Sequence, residues 1–189
     1  LILSGIVFKE YENNFNLGIK ELEKFIKSYY DSDGFPLSRN TNDLIIFTKY
    51  LLLCHENIKD AQQYIPEYLD DIIKKNFMCI KFFRTPDDQI PLFNGASENS
   101  LNLFERYIDR FKSTKNKKNT IGGIFFAKSK NQILYFDIGA PPGKNFSRNY
   151  QSGPLSFEYY LDGSKIITNC GLGNNISAKA ELISKLTAS

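Results

Sequence analysis

The spacing of apolar residues changes once along these 189 residues, and that change constrains the fold more than any other feature. Before residue 112 apolar side chains recur every three or four positions, the period of a helix. Phe15, Ile19, Leu22, Ile26 and Tyr29 form one such stripe, and Asp31 to Gly34 stops it. A second helix is predicted to start around Thr41-Asn42-Asp43, all good cap residues, and to run through Leu44 to about Asn57. Its Leu51-Leu52-Leu53 stretch is apolar nearly all round, which predicts burial between neighbours. Pro66 fits the first turn of a third helix with Leu69, Ile72, Ile73, Phe77 and Ile80 inside. Ser97 is expected to cap a fourth, with Leu101, Phe104, Ile108 and Phe111 inward.

The segment Lys112 to Asn119 is polar and basic with no apolar period, so it reads as a linker or exposed loop. Beyond it, Ile124 to Ala127, Ile133 to Ile138, Leu155 to Leu161 and Ile166 to Thr168 read as strands. Lys128 to Asn131 and Asp162 to Ser164 read as hairpin turns. Helices followed by antiparallel strands give an α+β class, with a helical part over 1–115 and a strand part over 116–189. Helices joined by short loops and buried on both sides suggest stacked helical hairpins, as in toroids and solenoids.

Composition narrows the function classes. A net charge of +3 is too small to indicate a nucleic-acid partner, and none is expected. Leu1 to Phe8 is too short for a membrane span or a leader, and both chain ends are read as cuts through a longer protein. Three scattered cysteines (Cys54, Cys79, Cys170) make no disulfide framework. The only histidine, His55, falls on the second helix, where an interhelical role is favoured over catalysis. Nothing here sets an oligomeric state.

Four segments remain: Asp33-Gly-Phe-Pro-Leu-Ser-Arg-Asn40, Phe82-Phe-Arg84 followed by Ile90-Pro-Leu-Phe-Asn-Gly95, Tyr150-Gln-Ser-Gly-Pro-Leu-Ser-Phe-Glu158, and Ile166-Ile-Thr-Asn-Cys-Gly171. Alone, each is a turn, a helix end or a strand. In order and spacing they resemble the heparinase II/III-like family, in particular the branch with the heparinase II/III C-terminal domain. The first is similar to that family's DGGHxSRN segment, the second to its link between domains. The run Gly153 to Gly171 is similar to its GxLSFE…IVNCG hairpin.

The resemblance implies the C-terminal part of an (α/α) toroid over 1–115 followed by the start of an antiparallel β-sandwich over 116–189, with a polysaccharide cleft between them. It implies a lyase that cleaves acidic, uronate-containing glycans by β-elimination, and a place in the cell envelope or periplasm. Family members use an Asn or Asn-His pair, a Tyr and a His, and some carry zinc. Carried over, the Asn-His pair would lie upstream of Leu1, the Tyr falls on Asp43, and two histidines fall on Asn149 and Gln151. A zinc-binding Asp falls on Asn169, so neither a metal nor any other cofactor is expected. The alternative is therefore an inactive relative that binds glycan or has a structural role in the envelope.

Groups left for the chemistry are few. Arg39 and Asn40 match family positions and would hold a substrate carboxylate, Arg39 with two prongs, or else tie their loop to the helix ends. Asn94, Asn149 and Gln151 would bind substrate through hydrogen bonds. Tyr150 would act as base or acid if Arg148 or Arg39 lowered its pKa, and is otherwise an ordinary aromatic at the cleft edge. This arrangement requires the Arg39 loop and the Gln151 hairpin to face each other across a trough.

Overall fold

The computed structural model describes residues 1–97, 101, 104, 107, 118–150, 153, 155–171, 173 and 176–187. It begins with α1 (Ile2–Val7), a 3-10 turn at Lys9–Tyr11, α2 (Glu12–Tyr29), α3 (Thr41–Asp60) and α4 (Glu67–Phe83). Five strands follow: β1 (Thr120–Ile121), β2 (Ile124–Lys128), β3 (Gln132–Asp137), β4 (Phe157–Leu161) and β5 (Ser164–Ile167). They form one antiparallel sheet in chain order, and α5 (Ala178–Thr187) comes last. The class is α+β, as the change of period implies.

Local chemistry accounts for the boundaries. The cap of α3 is Asn40, one residue before the expected cluster: its side-chain oxygen accepts from the backbone N–H of Asn42 at 2.8 Å and of Asp43 at 3.4 Å. Thr41 is diverted, donating its hydroxyl to the Pro91 carbonyl at 2.6 Å. Pro66 stands just outside α4 as its N-cap, with φ −65° and ψ 137°. α5 has no counterpart among the elements expected from the sequence. Its start is capped by Ser177, whose hydroxyl oxygen accepts from the Ala180 N–H at 3.0 Å. The Asp162-Gly163 hairpin turn has φ of +51° and +81°, the pair that matches the twist of two antiparallel strands.

The helical core is the expected one. Leu69, Ile72, Ile73, Phe77 and Ile80 of α4 are buried against α3, while the α2 stripe is half-buried on the same cluster. Of the expected fourth helix, Leu101 and Phe104 are buried and Phe104 and Tyr107 pack on the Phe77 ring. Ser97 precedes these residues, and Ile108 and Phe111 lie outside the described residues. In α3, Leu51 and Leu52 are buried but Leu53 is not; with Ile46 and Tyr50 it leaves an apolar stripe open to solvent.

Strand alternation then orients the sheet. Register pairs Phe126 with Tyr135 and Tyr135 with Glu158, and that face turns toward the helices. Phe126 packs on Phe82 with ring centres 5.4 Å apart, and the Tyr135 hydroxyl reaches the carbonyls of Phe82 and Arg84 at 3.3 Å. The opposite face carries the row Phe125, Phe136 and Phe157, all at least partly exposed.

Candidate functional site

Two carboxylates on the inward face of the sheet join the halves of the molecule. Asp137, at the end of β3, is fully buried and pairs with the Arg39 guanidinium. Arg39 also donates from Nε to the Gly122 carbonyl and from Nη1 to the Ala140 carbonyl, both at 2.8 Å. Its head lies against Gly123 and Gly139, and a Cβ at Gly139 would collide with it. The second carboxylate, Glu158 in β4, is equally buried. It accepts from the backbone N–H of Leu92 at 3.0 Å and of Asn169 at 3.2 Å, and from the hydroxyls of Thr168 at 3.0 Å and Tyr160 at 3.1 Å. The segments singled out in sequence are thus tied to one another through these two acids.

Between the halves this leaves a cleft of about 210 Å³ lined by Tyr29, Ser38, Asn40, Asp43, Asn94, Asn145, Phe146, Arg148, Asn149 and Tyr150. The structure therefore brings Asn40, Asn94, Asn149 and Tyr150 together. Gln151 lies outside the described residues. Arg39 does not present its head here; the guanidinium borders a neighbouring cavity of about 570 Å³, with its donors directed to protein acceptors. Those donors tie the Arg39 loop to the strand half, at Gly122, Ala140 and Asp137, and not to the helix ends. Asn40 is occupied as the α3 cap, and Asn94 donates to the Arg39 carbonyl at 2.9 Å. Asn145, Arg148, Asn149 and Tyr150 are cleft groups whose side chains make no hydrogen bond or ion pair among the described residues.

The acidity of the cleft phenols runs opposite to the expectation for Tyr150. Burial raises its pKa first and the Asp137 charge adds to this; Arg39 pulls it down but does not win. The Tyr150 hydroxyl is buried and has no hydrogen-bond partner among the described residues. Tyr29, which sequence reasoning assigned to the core stripe, donates its hydroxyl to Asp43 at 3.0 Å and is pushed up to about 12, chiefly by burial. Ser38 donates to the same Asp43 oxygen at 2.6 Å. Asp43 is therefore a cleft acceptor in the first turn of α3 and not its cap.

Other expected positions have structural partners. His55 bridges α3 to Asp70 of α4, with Nε2 3.0 Å from the carboxylate. The Asn169 backbone serves Glu158, and its side-chain amide nitrogen is buried without a partner among the described residues. Amides at Asn149, Gln151 and Asn169 are poor zinc donors, so the residues present do not fit the metal carried by some relatives.

Asp137 and Glu158 escaped sequence reasoning, although a signal existed. Period-two alternation puts Asp137 on the same face as Tyr135, and Glu158 on the same face as Tyr160, inside otherwise apolar runs. Buried acids in such places require partners.

Gly95 fixes the position of the Asn149 loop. Its φ is +85°, and a Cβ there would run into the Asn149 carbonyl. Gly95→Ala is expected to destabilise the protein by about 2 kcal/mol, from backbone strain plus the displaced loop. Denaturant melts measure this, and an unchanged midpoint would show that the loop is not held there.

Residues 115–189 match the family model described as heparinase II/III-like, C-terminal. No curated protein matches the chain. Among solved structures, a heparinase III is similar over 90% of this chain and 33% of its own, with 14% identity and a TM-score of 0.76. A heparan sulfate lyase HepC mutant from Pedobacter heparinus is similar over 98% and 33%, with 18% identity and a TM-score of 0.76. The HepC structure from the same organism gives 98%, 33%, 15% and 0.75. The chain spans about a third of the length of these structures, and at such identities the likeness is one of fold. Residues 115–189 thus resemble the heparinase II/III-like C-terminal family, and the chain as a whole, with the ordered segments that Asp137 and Glu158 tie together, shares the fold of the corresponding third of heparinase III structures.

Proposed function

We propose that the chain is the junction segment of a polysaccharide lyase that cleaves acidic, uronate-containing glycans by β-elimination in the cell envelope. The observation that supports this reading is the cleft between the Ser38–Asp43 segment and the Asn145–Tyr150 loop, lined by four asparagines, two tyrosines and Arg148. The architecture that goes with it is the end of an (α/α) toroid and the start of a β-sandwich. Two open apolar surfaces favour it: the Ile46, Tyr50, Leu53 stripe of α3 suits a further helix, and the Phe125, Phe136, Phe157 row suits a second sheet.

β-Elimination removes the proton beside a uronate carboxylate and expels the 4-linked sugar. Arg148, Asn145 and Asn149 would neutralise the carboxylate so that charge building on it is tolerated. Tyr29 and Tyr150 are phenols, protonated at neutral pH even with their ordinary pKa, and burial raises both further, so they are fitted to donate to the departing oxygen and not to serve as base. The proton on carbon needs a base, and Asp43 is the carboxylate in the cleft.

Incubation of the full-length protein with uronate polymers should give an unsaturated product, followed by its ultraviolet absorbance. Tyr150→Phe should then lower turnover by about a hundredfold. No product across a wide glycan panel, with an active relative as control, would end the lyase reading.

A second reading, a relative that binds glycan without turnover, is favoured by the Asp43 carboxylate facing the cleft, since it repels a uronate. Glycan binding without product supports it. Gain of activity in Asn149→His with Gln151→His would mark it as an enzyme that has lost its proton-transfer groups.

A further inference from the structure

A second groove lies at the other end of the seam between helices and sheet. Met78, Lys81, Phe82 and Arg84 from the end of α4 and just beyond it form one wall, and Lys118, Asn119, Phe126, Lys128 and Ile133 form the other. It encloses about 320 Å³. Ile133 is near the start of β3, and Asp137 at its end is 3.5 Å from the cleft residue Asn94, so the groove lies ~13 Å along the strand from the residue that borders the cleft.

Its lining divides by chemistry. The floor is apolar, built on the Phe82–Phe126 ring pair with Met78 and Ile133. Around it stand Lys81, Arg84, Lys118 and Lys128, and among the described residues no Asp or Glu lines the groove. Lys81 has contacts of its own, and Arg84 pairs with Asp88 at 2.6 Å and Lys118 with Asp33, both acids outside the groove. Those side chains are substantially exposed, where ion pairs contribute little and exchange readily with another anion. The net charge of the whole chain is only +3, so a rim of four cations is a local concentration and not a reflection of composition.

We propose that this groove is an accessory binding site for an acidic polysaccharide, distinct from the cleft. Carboxylate or sulfate groups would meet the cationic rim, and the C–H face of a sugar ring would pack on the phenylalanine floor. The volume falls within the roughly 300–1,000 Å³ of small-ligand sites, enough for one or two sugar units of a longer chain. The choice of a glycan over other polyanions rests on the lyase reading above. Such a site would hold the polymer beside the cleft and raise its local concentration there.

The test uses the full-length protein and a sulfated uronate hexasaccharide, titrated at rising salt. Hydrogen exchange should show protection at 78–84 and 124–133 in addition to any protection at the cleft. Lys81→Gln with Lys128→Gln, both away from the cleft, should weaken binding about tenfold and flatten its salt dependence. If the sugar binds or is cleaved but leaves both groove segments unprotected and the double variant unaffected, the groove proposal fails and the lyase reading stands. Protection of the groove by a single-stranded oligonucleotide and not by the hexasaccharide would overturn the glycan assignment in favour of nucleic acid. Neither binding nor cleavage of any glycan would remove both.

Discussion

Replacing Arg39 with glutamine should destabilise the protein by about 3–5 kcal/mol, the range expected when one partner of a buried ion pair is removed. The reason is what remains. Asp137 is fully buried, and without the guanidinium it keeps the Gly139 N–H at 3.0 Å and a long 3.5 Å contact from Asn94. Two carbonyls, Gly122 and Ala140, lose their donors as well. Arg39→Lys should recover only part of the loss, because an ammonium is a compact point charge and cannot reach three acceptors in one plane. The double variant Arg39→Gln with Asp137→Asn should be less damaging than the sum of the singles. Urea melts of the four proteins measure the coupling. A loss below about 1 kcal/mol for Arg39→Gln would mean that the pair does not hold the halves together.

Glu158→Ala should be of similar size, above about 3 kcal/mol, through a different mechanism. The carboxylate is an acceptor shared by Leu92, Asn169, Thr168 and Tyr160, which come from the link and from the β4–β5 hairpin. Its removal leaves the buried Leu92 N–H and Tyr160 hydroxyl and the half-buried Asn169 N–H without this acceptor, whereas the exposed Thr168 hydroxyl turns to water, and each unsatisfied buried group costs about 1–3 kcal/mol. Glu158→Gln keeps the shape and one acceptor, so it should fall between wild type and alanine. Hydrogen exchange separates the mechanisms: the Leu92 and Asn169 amides should exchange faster in the alanine variant before global unfolding. Unchanged exchange at both would refute the shared-acceptor role.

Both predictions concern residues that were hard to read from sequence, and the reason is common to them. Helices α2 to α4 and strands β2 to β5 were legible within a few residues because each is set by its own apolar period and its own turn residues. The cap of α3 was misplaced by one residue because Asn40, Thr41, Asn42 and Asp43 are all competent caps. What decided among them was distant: Thr41 is drawn to the Pro91 carbonyl and Asp43 to Tyr29 and Ser38. Likewise Arg39 matched a plausible substrate-binding position, and only the fold shows its donors directed across a separation of 83 to 101 residues.

The accessory groove illustrates the same limit. Lys81, Arg84, Lys118 and Lys128 are unremarkable in sequence, and the basic run before Asn119 reads as a solvated loop. They become one rim because the end of α4 packs against β2 and β3.

The sequence by itself determined the class, the order of α2 to α4 and of β2 to β5, the place where helices give way to strands, and the family resemblance, since each rests on neighbours within a few residues or on ordered segments. Only the tertiary structure decided that Arg39 is a clamp, that Asp43 and Tyr29 belong to the cleft, and that Asp137 and Glu158 join the halves. A side chain's partner across a hundred residues is selected by packing, and the low dielectric of a buried seam makes that selection energetically decisive.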